Sequence, residues 1–368
     1  MDNVRFAGYE SGVNLGGWLS QYGEKGKEHF NAFITEEDIK RIAGWGVDHI
    51  RLPLDYPVVM DIKEDGSFTF LEEGFNYIDR CIEWCKKYEL NVVIDLHKAP
   101  GFSFFDEKNN LFQSETCKRQ MYALWKQIAA RYAKEGDYLA YELLNEIKDV
   151  SAEEWNDFAE NLIREIRTVD EEHFVLVGSV MMCSAKTVPE LRLFDDSRIV
   201  YNFHTYEPIF FTHQKAEFMP FGTFMRQPVF YPCTKEEYNA VIDDMLEQIT
   251  PGITARRSEE GTRGMMGMDM DFNIDFLRMS LQPVREFIKE YEVAVYCGEY
   301  GVICHADAKS KVNYIRDMKK VFRELGIGSA LWNYKEMSFG VIDSDGNADR
   351  QQIQELAVRK NKRGGETG

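Results

Sequence analysis

Short apolar runs alternate along this chain with longer stretches in which apolar residues recur at helical spacing. The runs predict β-strands and the spaced stretches amphipathic helices, and their alternation predicts a parallel sheet wrapped by helices. Eight candidate strands end near Asn14 (GVNLGGW), Arg51 (HIRLPL), His97 (NVVIDLH), Glu146 (LAYELLNE), Ser179 (FVLVGS), His204 (IVYNFHTY), Glu299 (VAVYCGEYG) and Trp332 (GSALWNY). The intervening helices carry start signals: Thr35 precedes EED and then Ile39, Ile42 and Ala43, while Ser151 and Glu154 form a capping box. After it, Trp155, Phe158, Ala159, Leu162, Ile163 and Ile166 mark one buried face. Further helices are predicted over 75–89, 117–134, 281–291 and 309–325.

Eight strand–helix pairs predict a closed (β/α)8 TIM barrel, since eight parallel strands close around a core of side chains. An open doubly wound sheet is the competing topology. Residues 1–368 read as one domain, because such barrels run well past average domain length. Spacing is uneven only between the sixth and seventh strands. There, 207–280 is rich in aromatics and glycine (FMPFGTFMRQPVFYP, then EEGTRGMMGMDMDFNID) and lacks the long periodic helix of the other units. It predicts a subdomain inserted over the carboxyl end of the barrel.

Composition changes the picture in three places. The formal charge of −18, with no basic run to reverse it, repels polyphosphate and argues against a nucleic-acid partner. No apolar run approaches the ~18 residues of a membrane span, and MDNVRFAGYESG lacks a signal-peptide core. A soluble chain is expected, cytoplasmic or secreted after loss of a leader. Seven cysteines without a paired framework predict reduced thiols, with Cys81 and Cys85 one turn apart on an apolar helix face.

Barrels place their chemistry at the carboxyl ends of the strands. There Arg51, His97, Asn145, Glu146, His204, Tyr206, Glu299 and Trp332 would converge on one face, and so many polar groups in a barrel mouth are too costly to be packing alone. Two glutamates facing each other suit glycosidic bond cleavage, one donating a proton to the leaving oxygen and the other attacking the anomeric carbon or activating water. Sequence leaves those last two routes open. The histidines lie on separate strands without metal-ligand spacing, so neither metal nor cofactor is expected.

NLGGW, IRLP, DLHKAPG, ELLNE, NFHTYEP, GEYGV and LWNY, in that order from residue 13 to about 345, resemble glycoside hydrolase family 5 of clan A. Within it they look like the clostridial endoglucanase C type, which shares a phenylalanine-rich THQK segment (Phe210 to Lys215 here) and a long insertion before the nucleophile strand. The resemblance implies a retaining endo-β-glucanase acting on β-1,4 or mixed β-1,3-1,4 glucans, with Glu146 as acid/base and Glu299 as nucleophile. It further implies that Asn145 binds the sugar 2-hydroxyl, that His97 and His204 bind neighbouring hydroxyls and orient the carboxylates, and that Trp332 lies under the sugar. Arg51 and Tyr206 would donate to Glu299 and hold its pKa low, while a less solvated Glu146 stays protonated. Trp18, Phe210 and Phe211 are further candidates for lining the cleft. Lys98 departs from the pattern, since the endoglucanase C type has a second histidine there, and this bears on substrate preference.

Three alternatives stand beside this reading. The same chemistry could serve a β-1,3-glucan or glucomannan. A glycan-binding barrel could keep the aromatic cleft without the chemistry, although both glutamates are present. A barrel for phosphorylated metabolites would want a Gly-rich phosphate loop, which GEYGVICHADAKS and WNYKEMSFG do not supply. The expected partner is a β-glucan, bound by a monomer.

Overall fold

The computed structural model describes residues 6–251 and 266–358. Eight parallel strands close on themselves: β1 (Gly12–Asn14), β2 (His49–Asp55), β3 (Asn91–Ala99), β4 (Leu139–Glu142), β5 (Phe174–Gly178), β6 (Ile199–Thr205), β7 (Val295–Tyr300) and β8 (Gly328–Leu331). Each pairs with its sequence neighbours, β8 pairs with β1, and the ring is complete. This is the (β/α)8 barrel that the alternation predicts, and it excludes the open sheet.

Side chains alternate along a strand, so every second residue faces the barrel axis. One inward layer is apolar: Val93, Ala140, Leu176, Val200, Tyr296 and Ala330 pack together with Phe6 and Tyr9 as a floor. Two residues further along each strand the inward positions become Asn14, Arg51, Asp95, Glu142, Asn202 and Gly298. One more step along β3 and β6 brings in His97 and His204. The change from apolar floor to polar mouth is therefore written at period two.

Outside the sheet, helices Glu36–Gly44, Glu72–Lys87, Glu115–Tyr132, Ala152–Arg167, Gln282–Tyr291 and Ala308–Leu325 pack their apolar faces on the strands. The capping boxes at Thr35 (with Asp38) and Ser151 (with Glu154) are both formed. Between β5 and β6, in place of a full helix, stand a left-handed turn at Val180–Cys183 and a 3-10 turn Ala185–Glu190, and after β8 there is only the seven-residue helix Arg350–Leu356, so two of the eight expected pairs lack a long helix. All seven cysteines are free thiols, with Cys81 and Cys85 buried. Among the described residues no helix is long and apolar enough to cross a membrane.

In the long interval before β7 the sequence expectation needs correcting. A fifteen-residue helix, Lys235–Ile249, runs there, capped by the Thr234–Glu237 box. Its buried stripe is narrow, only Tyr238, Ile242, Met245 and Leu246, which makes its period faint beside the surrounding aromatics. Residues 252–265 of the interval, and the polar tail from 359, lie outside the described residues.

Candidate active site

Arg51 is the centre of the mouth, fully buried on β2. Its Nε and Nη2 donate to both carboxylate oxygens of Glu142 at 2.7 Å, and its Nη1 donates to Asn14 Oδ1 at 2.9 Å and to Glu299 Oε1 at 2.8 Å. Nη2 also reaches Asn145 Oδ1 at 2.9 Å and lies 3.1 Å from Asp95 Oδ2. A planar fork with its donors spent this way cannot swing, so it fixes where Glu299 and Asn145 sit.

Two departures from regular strand bring Glu146 and Glu299 together. β4 ends at Glu142, four residues before the end expected from the sequence. The chain then turns: Asn145 N donates to Leu96 O at 3.0 Å, and Glu146 takes a left-handed backbone with φ 43°. A non-glycine residue there is strained, and such strain persists where surroundings impose it, commonly at functional sites. On β7 the register with β6 slips between Cys297 and Glu299. Ala294, Tyr296 and Gly298 follow the inward phase, so Glu299 owes its inward aim to this bulge at Gly298. A side chain at Gly298 would collide with His204 Nε2 at 2.8 Å, which accounts for the first glycine of GEYG.

As a result one oxygen of Glu146, one of Glu299 and one nitrogen of His204 all lie within 4.8 Å of one another. His204 Nδ1 is 3.3 Å from Glu146 Oε1, and Tyr206 OH donates to Glu299 Oε2 at 2.8 Å. These three donors come from two strands and the turn after a third, so the absence of a local ligand motif in the sequence does not bear on whether they could gather around an ion.

The two carboxyls differ in what surrounds them. Burial raises the pKa of Glu146 well above the carboxylate range, and the nearby Glu299 charge adds to that. Burial raises Glu299 too, against the pull of the Arg51 charge and the Tyr206 hydrogen bond. The expectation of a lowered Glu299 is thus wrong in sign, because desolvation outweighs its donors. The order within the pair survives: Glu299 has a guanidinium and a phenol as partners, Glu146 only a histidine that burial holds neutral, so a shared proton rests on Glu146. Glu142 and Asp95 are each pushed to about 7 by burial, opposed by Arg51.

Around the pair stand groups with capacity to spare. Trp332 lies flat against His97, ring centroids 5.7 Å apart and planes 4° from parallel. Its edge passes so close to Gly16 that a side chain there would meet Trp332 at 2.4 Å, which accounts for a glycine of NLGGW. His97 Nδ1 sits 2.6 Å from Asp95 Oδ2, and burial lowers its pKa to about 4, so the ring is neutral. Asn145 Nδ2 is buried without a protein partner among the described residues. A buried amide in that condition is suited to a ligand's acceptor. A protonated carboxyl, an ionised one within reach of it, a flat aromatic floor and an unspent amide can together cleave a glycosidic bond.

Comparison with known proteins agrees with this chemistry. The model of the cellulase family, glycosyl hydrolase family 5, matches residues 7–338. Endoglucanase C of Acetivibrio thermocellus is 36% identical over 353 residues, covering 96% of this chain and 98% of that protein. Cellodextrinase A of Ruminococcus flavefaciens is 36% identical over 327 residues, covering 88% and 85%. The chain belongs to glycosyl hydrolase family 5. The fold agrees: the crystal structure of endoglucanase Cel5A from Thermotoga maritima superposes with a TM-score of 0.74 at 21% identity, covering 95% of this chain and 97% of that one.

The structure gathers Arg51, His97, Asn145, Glu146, His204, Tyr206, Glu299 and Trp332 in the mouth of this family 5 barrel. Two of the three extra aromatics are sealed from it. Trp18 is fully buried with its Nε1 on Phe30 O, and Phe211 is fully buried among Tyr231, Phe272 and Tyr314, so neither has surface to offer a cleft. Phe210 is half-buried against Phe221. Sequence reading missed Glu142, Asp95 and Asn202 as site residues. Asn202 accepts from Gly298 N at 2.9 Å and donates to Glu142 at 2.8 Å, tying the bulge to the Arg51 network. It also missed the support of Tyr206: Thr212 donates to its carbonyl at 2.5 Å, and His213 and Phe339 pack on its ring at 5.0 and 5.9 Å.

Proposed function

We propose that this family 5 glycoside hydrolase is an endo-acting β-glucanase that cleaves β-1,4 or mixed β-1,3-1,4 glucans with retention of configuration. The observation that carries the mechanism is the approach of Glu146 and Glu299 to within 4.8 Å. That closeness supports a retaining pair, about 5–5.5 Å apart, over an inverting pair, roughly 6.5–9.5 Å apart.

Glu299, ionised and held by Arg51 and Tyr206, attacks the anomeric carbon. As that bond forms, the bond to the leaving oxygen breaks and the Glu146 proton passes to that oxygen. Loss of the Glu299 charge lowers the pKa of Glu146, which then takes a proton from water as the water displaces Glu299. Asn145 Nδ2 hydrogen-bonds the 2-hydroxyl, a contact that strengthens in the transition state, and Trp332 lies under the apolar face of the sugar.

The glucan assignment rests on the relatives, named an endoglucanase and a cellodextrinase. Action as a monomer is part of this proposal. We read 207–280 as a subdomain over the active-site face: Thr212 and His213 brace Tyr206, and Gln214 pins Phe211 to Val229 through three hydrogen bonds. Hydrolysis assayed on carboxymethylcellulose, mixed-linkage β-glucan, β-1,3-glucan and glucomannan tests the substrate, with the first two expected to lead. Proton NMR of the first-formed sugar tests the stereochemistry. The β-anomer is expected, and an initial α-anomer rules out double displacement.

A further inference from the structure

A row of aromatic rings leads out of the mouth. From Trp332 it passes to His97, stacked at 5.7 Å, then to Phe104, edge-on to His97 at 5.1 Å and 85°, then to Phe105, 3.9 Å from Phe104. Phe105 is 68% exposed. A phenylalanine on a mobile loop would need no explanation, but this loop is held. Lys98–Ala99 pairs with Phe102–Ser103 as a short hairpin, Ser103 N donates to Asn109 Oδ1 at 2.8 Å, and Asp106 N donates to Ser103 O at 3.1 Å. The loop is also tied to the segment just beyond Glu146: Lys148 Nζ donates to Asp106 O at 2.6 Å and Asn109 Nδ2 to Asp149 Oδ2 at 2.9 Å.

A rigid loop that keeps an apolar ring in water forgoes its burial energy and offers a preformed flat face. Sugars bind such faces through their axial C–H groups, provided polar partners take the hydroxyls. A polar partner stands nearby. Gln21 Nε2 is 3.3 Å from His97 Nε2, and Gln21 Oε1 is buried with no protein partner among the described residues.

We propose that Phe105, backed by Phe104, is a sugar-stacking platform for a glucosyl unit beyond the one on Trp332, with Gln21 Oε1 accepting from a hydroxyl along the way. The occupant is a further unit of the same glucan chain, because the ring row is continuous with the glutamate pair. The platform makes the enzyme favour longer chains. It rests on the glucanase reading and adds a subsite to it.

The test compares cellopentaose with the short reporter p-nitrophenyl β-cellobioside. In Phe105→Ala, the ratio of kcat/KM on cellopentaose to that on the reporter should fall roughly tenfold, equivalent to about 1.4 kcal/mol, and Phe105→Trp should restore it. In a Glu299→Gln background, calorimetry should record a similar loss of cellopentaose affinity on adding Phe105→Ala. If the parent hydrolyses both substrates and neither ratio nor affinity moves, the platform is wrong while the glucanase reading stands. An equal fall on both substrates with a lower Tm makes Phe105 merely structural and also overturns it. A parent that hydrolyses neither substrate overturns the glucanase reading and the platform together.

Discussion

Two polar sites lie inside the same barrel, two residues apart along β2. At the lower level His49 is fully buried, with Nδ1 2.6 Å from Asp48 Oδ1 and Nε2 2.7 Å from the Tyr296 hydroxyl, so both ring nitrogens are used. At the upper level His204 is nearly as buried, but Nδ1 has a long 3.3 Å contact to Glu146, with Glu299 Oε2 at 3.8 Å, and Nε2 has no hydrogen-bond partner among the described residues. Buried polarity alone therefore does not mark a site, because at the lower level His49 spends both ring nitrogens on its neighbours, although the Tyr9 hydroxyl beside it has no hydrogen-bond partner among the described residues. The upper level is distinguished by groups left over: an Asn145 amide, a His204 nitrogen, and two carboxyls close enough to contest one proton.

The comparison breaks most visibly at Glu299. Glu299→Gln removes the nucleophile's charge at nearly constant volume, and kcat should fall by at least about 10^4-fold with oligosaccharide binding retained. Activity near the parent's would refute the assignment. Glu146→Ala should cost about 10^2- to 10^4-fold on natural glucan but less on substrates with good leaving groups, where added azide restores turnover. If azide restores nothing and those substrates are also dead, Glu146 is not the acid/base.

Glu142→Gln sharpens the contrast within the upper level, because Glu142 takes the bidentate grip of Arg51 while its own side chain is fully buried. Loosening Arg51 should lower kcat/KM by about 10- to 100-fold through misplaced Glu299 and Asn145. It should also move the pH profile. Activity needs Glu146 protonated and is lost as pH rises through its pKa, which burial and the charges of Glu299 and Glu142 raise. Removing the Glu142 charge lowers that pKa, so the alkaline limb should shift to lower pH. A merely structural role would leave the limb in place. The smallest effect on chemistry belongs to the lower level: His49→Phe should cost about 1–3 kcal/mol of stability by stranding its partners, measured by denaturant titration, with kcat/KM close to the parent's.

Much of this was legible at strand ends. Arg51, His97, His204 and Tyr206 sit where polar residues interrupt apolar runs, and the eight strands are recognisable from those interruptions. Glu142 and Asp95 escaped because they lie inside the runs YELLNE and VVIDLH. Reading each strand at period two exposes them, since Ala140 to Glu142 and Val93 to Asp95 step from floor to mouth as Val200 does to Asn202. The positions of Glu146 and Glu299 resist that reading. One depends on a left-handed turn after β4 and the other on a bulge, and both break the phase that sequence can follow. The net sign of the Glu299 pKa was equally out of reach, because it depends on how completely the mouth is desolvated.

Retention through Glu299 is tested most directly by trapping the covalent state. Incubation with a 2-deoxy-2-fluoro cellobioside bearing a good leaving group slows the second step relative to the first. Mass spectrometry of the digested protein should then find one glycosyl adduct, on the peptide carrying Glu299. No adduct despite turnover of the natural glucan, or an adduct on any other carboxylate, contradicts the account.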